Sequence, residues 1–246
     1  MTGRAPRIAW ISKDDPPDAF PPVDQAFDEP NGLLAAGGDL SADRLLYAYR
    51  HGIFPWYDDG QPILWWSPDP RCILRPNEFH VGKRLRRSLK SSGMTVSFNL
   101  AFSEVIESCA EHRDGQAGTW ITEDMKRAYK ELHRDGFAHS IDVWLGDSLV
   151  GGLYGLGIGR VFFGESMFSR ENNASKAAML VLCSELLSRD VELIDCQVVS
   201  PHLMSLGARL VHRAEFAEQL ESECEPATRI ELPGDLRRPI TDYLPE

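Results

Sequence analysis

The sequence predicts an α+β fold in which a small unit of short strands precedes a larger layered domain. Three observations carry this. A Gly146-Asp147 turn separates two strand-like runs, so an antiparallel hairpin is expected there. The run 173–188 has an apolar face at helical spacing (Ala177, Leu180, Val181, Leu187) and leads into the β-branched run 191–199. Prolines at 55, 62, 68 and 70 favour short strands and tight turns over helix before residue 70. Antiparallel hairpins followed by a helix and another strand imply layers of sheet and helix.

The N-terminal unit is set at residues 1–70. Residues 1–30, with Pro16-Pro17 and Pro21-Pro22, read as extended chain lying over a surface. Gly37-Gly38-Asp39-Leu40-Ser41 is a turn into a helix over 42–51, with Ser41 or Asp39 as cap and Gly52 as stop. Ile53-Phe-Pro-Trp56 and Ile63-Leu-Trp-Trp-Ser-Pro-Asp-Pro-Arg71 flank an Asp-Asp-Gly turn. If the second is a strand, Trp65 and Trp66 face opposite ways.

Residues 71–246 form the second domain. Helices are expected over 81–91, 102–111, 122–135, 173–188, 201–206 and 214–222. Strands are expected over 95–99, 140–145, 148–154, 160–164 and 191–199, with a turn over 156–159. The glycines of Gly151-Gly-Leu-Tyr-Gly-Leu-Gly-Ile-Gly159 match no nucleotide-loop spacing and fit a tight hairpin.

Composition narrows the function. No apolar run reaches membrane-spanning length, and residues 1–8 show no export signal. Five cysteines are scattered without a C-x-x-C pair, which favours reduced thiols in a cytosol. The histidines show no metal-ligand spacing, so no metal is expected. The net charge of −11 argues against a polyanionic partner, but its distribution softens that. Residues 1–70 and 214–246 each carry −6, and residues 71–213 carry +1. A local basic patch therefore remains able to hold a nucleic acid.

One such patch exists. In Lys83-Arg84-Leu85-Arg86-Arg87-Ser88-Leu89-Lys90, the residues Lys83, Arg86, Arg87 and Lys90 share one helix face, and Leu85 and Leu89 lie opposite. That face suits a phosphate backbone or is a plain solvated surface. Gly115-Gln-Ala-Gly-Thr-Trp120 is a glycine-rich loop that can present an indole to a base, and Trp56 is placed similarly; core packing is the alternative for each. In Ile194-Asp-Cys-Gln197, Asp195 and Gln197 share a strand face, where a carboxylate oriented by an amide can hold an amine or form an ordinary polar pair. In Val161-Phe-Phe-Gly-Glu-Ser-Met-Phe-Ser-Arg170, Glu165 stands inside an apolar run. A buried carboxylate needs compensation, so it marks a ligand site unless it turns to solvent.

These pieces resemble the leucyl/phenylalanyl-tRNA–protein transferase family. The matching motifs are Glu29-Pro-Asn-Gly-Leu-Leu34 with Gly-Gly-Asp-Leu-Ser41, Gly52-Ile-Phe-Pro-Trp56, Trp65-Trp-Ser-Pro-Asp-Pro-Arg71, Gly118-Thr-Trp-Ile-Thr122, Phe163-Gly-Glu-Ser-Met-Phe-Ser169, Asn173-Ala-Ser-Lys176 and Leu193-Ile-Asp-Cys-Gln197. They run in order from about residue 29 to 213, and the first 28 residues and the acidic tail lie outside them.

The resemblance implies a cytoplasmic enzyme with a C-terminal acetyltransferase-type (GNAT-like) domain, expected to be monomeric and to use no coenzyme. It would move Leu or Phe from leucyl- or phenylalanyl-tRNA onto proteins beginning with Arg or Lys, marking them for degradation. By position, Trp56 and Trp120 would hold the tRNA's terminal adenosine, with Phe162 beside them, and Glu165 would meet the aminoacyl end. Leu153, Met167, Met179 and Leu182 would line the side-chain pocket, and Tyr49 and Tyr129 would belong to the substrate cleft. Lys83, Arg86, Arg87 and Lys90 would contact the tRNA backbone. Leu153 and Leu182 stand where Met and Phe can occur, which leaves the Leu versus Phe preference open.

The chemistry needs no covalent intermediate. The ester is already activated, and an α-amine with a pKa near 8 keeps a useful neutral fraction at pH 7. Asp195, oriented by Gln197, is expected to bind or deprotonate that amine. Three other readings compete: a CoA-dependent N-acyltransferase, a non-catalytic RNA- or N-terminus-binding adaptor, and a related transferase for acidic N-termini. The chain lacks a clear pyrophosphate-binding loop opening a helix, which counts against the first.

Overall fold

A computed structural model describes residues 8–111, 120–225, 227–234 and 236–245. The glycine-rich loop expected before Trp120 lies outside the described residues, as do residues 1–7 of the extended N-terminal segment.

Two sheets organise the chain. The first contains β1 (Ala9–Ile11), β2 (Leu33–Gly37), β3 (Phe54–Pro55) and β4 (Leu64–Trp66), in the order β1-β2-β4-β3. Only β1 and β2 are parallel in it. Trp65 is fully buried and its indole donates to the Gly37 carbonyl at 2.9 Å. Trp66 faces the other way and donates to the Trp56 carbonyl at 2.7 Å, which holds the chain just before the candidate site. Helix α1 (Ala42–Arg50) follows β2. Neither Ser41 nor Asp39 caps it with a side chain; Asp39 instead accepts the Ser41 N–H at 2.8 Å and pairs with Arg44.

The second sheet has eight strands: β5 (Arg71–Leu74), β6 (Thr95–Phe98), β7 (Ala138–Leu145), β8 (Ser148–Ile158), β9 (Val161–Ser169), β10 (Leu193–Gln197), β11 (Arg209–Val211) and β12 (Arg238–Pro239). Their order is β11-β5-β10-β9-β8-β7-β6-β12, and within this sheet β9 with β10 is the one parallel pair among the described residues. The helices are α2 (Lys83–Lys90), α3 (Phe102–Ala110), α4 (Glu123–Arg134), α5 (Ala174–Leu187), α6 (Pro201–Ser205) and α7 (Arg213–Glu223). One core holds apolar residues of α1, α3, α4 and α7 with Trp65 of the first sheet. The other holds those of α2 and α5. Neighbours Phe162 and Phe163 divide between these cores, as alternation along a strand requires.

The central hairpin differs from expectation. The turn expected over 156–159 comes later: β8 runs on to Ile158 and reverses at Gly159, whose φ of 58° suits glycine. Gly155, between the expected strand and the expected turn, is part of β8. A Cβ there would stand 2.2 Å from the Phe163 carbonyl oxygen, so its glycine serves close strand approach. The strand expected to end at Gly164 continues to Ser169, which places Glu165 inside β9.

Candidate active site

The site forms where two neighbouring strands each carry one extra residue. Along β8 and β9, Tyr154 pairs with Ser166 and Gly155 with Gly164, so Glu165 is the bulged residue. Along β10 and β5, Asp195 pairs with Ile73 and Gln197 with Cys72, so Cys196 is bulged. The parallel pairing of β9 with β10 ends at Phe163 and Asp195, just before both bulges. A bulge bends its strand and re-aims side chains, and two of them facing each other open the sheet locally.

Glu165 is buried and accepts three side-chain hydrogen bonds, two on Oε1 and one on Oε2. Tyr49 Oη donates to its Oε1 at 2.6 Å, Gln197 Nε2 to the same oxygen at 2.9 Å, and Tyr129 Oη to Oε2 at 2.9 Å. Burial raises its pKa to about 7, while the three donors pull the other way. Tyr49 and Tyr129 are held well above the ordinary phenol value, first by burial and then by the Glu165 charge, so both remain donors.

Gln197 reaches Glu165 because its backbone is left-handed, with φ 59°. Its N–H donates to Asp195 Oδ1 at 2.9 Å. Asp195 is fully buried and forked by Arg71, Nε to Oδ1 at 2.8 Å and Nη2 to Oδ2 at 2.7 Å. The Arg71 guanidinium lies between the rings of Phe54 and Phe216, 4.8 Å from each centroid. One arginine thus fastens β3, α7 and β10 together.

Two cavities meet at Glu165 and Cys196. The larger, about 390 Å³, is lined by Leu153, Phe162, Met167, Met179, Leu182 and Leu203, among others. The smaller, about 200 Å³, lies between Trp56, Trp120, Gln197 and Val198. An apolar chamber therefore adjoins an aromatic one, with a carboxyl at the junction.

The chain matches the family model described as leucyl/phenylalanyl-tRNA protein transferase over residues 73–221, and that of the family's N-terminal domain over residues 38–69. It belongs to this transferase family. Curated relatives named leucyl/phenylalanyl-tRNA–protein transferase agree. The one from Pseudomonas aeruginosa (strain LESB58) is 56% identical over 214 residues, covering 87% of this chain and 94% of the relative. The one from Pseudomonas putida (strain W619) is 56% identical over 213 residues, covering 87% and 93%. That from Azotobacter vinelandii (strain DJ / ATCC BAA-1303) is 56% identical over 202 residues, covering 82% and 89%.

Against the residues expected of a leucyl/phenylalanyl-tRNA–protein transferase, the geometry divides them. Leu153, Met167, Met179 and Leu182 share the apolar cavity, and Phe162 joins them there instead of standing beside the tryptophans. Trp56 and Trp120 line one chamber. Tyr49 and Tyr129 line neither cavity; both are fully buried behind Glu165. The expected bond from the Gln197 amide to Asp195 is replaced: the amide goes to Glu165, and Asp195 holds the Gln197 backbone. Lys83, Arg86, Arg87 and Lys90 are exposed on α2 without an ion pair to a described residue, while Leu89 is buried. Arg71 and Cys196 went unrecognised as site residues in the sequence. Arg71 stands at the end of a matched motif, and that position was its one signal.

Proposed function

We propose that the chain transfers Leu or Phe from charged tRNA to the α-amine of proteins beginning with Arg or Lys, which marks them for degradation. Family membership supports the reaction. The observation that carries the site assignment is the meeting of the apolar and the tryptophan-lined cavities at one buried carboxyl, Glu165.

In this reading Trp56 and Trp120 stack on the terminal adenosine of the tRNA, and the Leu or Phe side chain enters the chamber of Leu153, Met167, Met179 and Leu182. The ester carbonyl then lies between the chambers. Glu165 in its carboxylate form accepts a hydrogen bond from the aminoacyl amine, with Tyr49 and Tyr129 fixing its orientation. Gln197 spends its amide N–H on Glu165, which leaves its carbonyl oxygen to align the incoming α-amine. The amine attacks the ester carbonyl, the tRNA 3′ oxygen departs with a proton, and a peptide bond results. Asp195 acts through Gln197, whose turned backbone it holds.

The exposed cations of α2 would meet the tRNA backbone. The wider reading completes the picture: a small N-terminal domain over 1–70, a GNAT-like catalytic domain over 71–246, and a cytoplasmic monomer working without metal or coenzyme. No described helix is long and apolar enough to cross a membrane.

Transfer of radiolabelled Leu from charged tRNA to an Arg-initiated peptide tests this reading. Transfer to Arg- and Lys-initiated peptides is expected; activity with acetyl-CoA alone, or with Asp- and Glu-initiated peptides alone, overturns it.

A further inference from the structure

The match to the family model ends at residue 221, yet residues 236–245 are built into the second sheet. There β12 joins the edge of β6, with Arg238 opposite Val96 and Pro239 opposite Thr95. Arg237 anchors it beside the β7–β8 turn. Its guanidinium lies 3.8 Å from the Trp144 ring centroid, and its Nη1 donates to the Gly146 carbonyl at 3.1 Å and to Asp147 Oδ1 at 3.3 Å. A short 3-10 helix, Ile240–Tyr243, follows. Ile240 is buried, and its N–H donates to the Met94 carbonyl at 3.0 Å. It shares a core with Leu89 of α2, against which Leu85, Tyr243 and Leu244 also pack. Among the described elements, this short helix is the one α2 packs against most extensively.

The helix needs that support. It has eight residues, too few to be stable alone, and like charges three and four apart on its face repel. Charge follows the same side. Residues directly opposite in an antiparallel pair project to one side of the sheet. Val96 lies in the core beneath α2, so Arg238 projects to the α2 side, while its neighbour Arg237 goes with Trp144 to the other. Arg238 is exposed and forms no ion pair with a described residue. Residues 236–245 hold Arg237 and Arg238 against one acid, Asp242, so the acidic stretch of the tail stops before them. We propose that this segment is part of the tRNA-binding surface: it seats α2 and adds Arg238 to the cations that meet the phosphate backbone. The inference rests on the transfer reading, which supplies tRNA as the polyanion.

Binding of leucyl-tRNA to the full chain is measured across a salt series, beside binding of an amide-linked leucyl-adenosine that carries no backbone phosphate. Arg238→Ala should weaken tRNA binding roughly threefold or more at low salt and lower the salt slope by about 0.7–0.9, one phosphate's share. Arg238→Lys should keep the wild-type slope. Ile240→Ala should weaken tRNA binding several-fold and leave leucyl-adenosine binding unchanged. Leu244→Ala, half-buried at the end of the same short helix, replaces it if circular dichroism shows Ile240→Ala unfolded. A wild-type slope in Arg238→Ala, an equal loss of slope in Arg238→Lys, or a loss of leucyl-adenosine binding as large as the loss of tRNA binding in the seating variant overturns the proposal. A wild-type chain that binds charged tRNA without salt dependence removes the transfer reading's tRNA surface as a whole. A clear wild-type slope that Arg238→Ala leaves intact removes the tail's part alone.

Discussion

Arg71 and Asp195 form a two-pronged ion pair from which solvent is excluded on both sides, and Asp195 of that pair holds the backbone N–H of Gln197, whose amide reaches Glu165. A buried pair is costly to assemble and costlier to break, because removing one partner leaves a bare charge. Stacking between Phe54 and Phe216 makes Arg71 a fastener between the two sheets' neighbourhoods as well as a counter-ion.

Arg71→Ala should therefore destabilise the fold by about 3–5 kcal/mol, read by urea unfolding. Arg71→Lys keeps the charge but loses the fork. It should stay folded and lower kcat roughly tenfold with little change in KM for charged tRNA, because the acceptor that holds the Gln197 N–H is no longer fixed. A wild-type kcat in Arg71→Lys would remove this positioning role.

The bulges explain why part of the site was hidden in the sequence. The apolar cavity residues were found through motif resemblance, and the geometry gathers Leu153, Met167, Met179 and Leu182 around one space. The strand expected from alternation stops at Gly164, because an extra residue breaks the two-residue period of β9 just where Glu165 sits. Arg71 and Asp195 are far apart in sequence, and no local pattern announces a long-range ion pair. The glycines of β8 fit a tight hairpin with close backbone approach, and Gly155 shows that approach, since Phe163 leaves no room for a Cβ.

Glu165 should leave a pH signature on stability. Its folded-state pKa, about 7, lies above the ordinary carboxyl value, so the folded chain binds more protons than the unfolded one from roughly pH 4.5 to 7. Its contribution to stability is fully present below that window and is lost as pH rises through it. Glu165→Gln cannot titrate. The variant's stability relative to wild type should therefore rise by about 3 kcal/mol between pH 4 and pH 8. Urea unfolding at both pH values measures this, and a difference that does not change with pH would contradict the burial of the carboxyl.

The apolar chamber should set side-chain preference. Leu182→Phe fills part of the 390 Å³ space and should lower kcat/KM for phenylalanyl-tRNA relative to leucyl-tRNA by roughly 10–200-fold, the range expected of hydrophobic fit. Competition between the two charged tRNAs gives the ratio directly. An unchanged ratio would move the amino acid's side chain out of this cavity.

The basic face of α2 should act through charge alone. Arg86→Ala combined with Arg87→Ala should weaken charged-tRNA binding and lower the salt slope by about 1–2, since two exposed cations no longer release counterions. Binding measured across a salt series decides it; a slope equal to wild type would return α2 to an ordinary solvated helix.

The most direct test of the central claim, that Glu165 reads the aminoacyl end where the two chambers meet, is the affinity for an amide-linked leucyl-adenosine compared with adenosine alone. Wild type should bind the leucyl form at least tenfold more tightly, and Glu165→Gln should lose most of that preference while binding adenosine unchanged. Equal binding of both ligands by wild type, or a full preference retained in Glu165→Gln, would contradict the account.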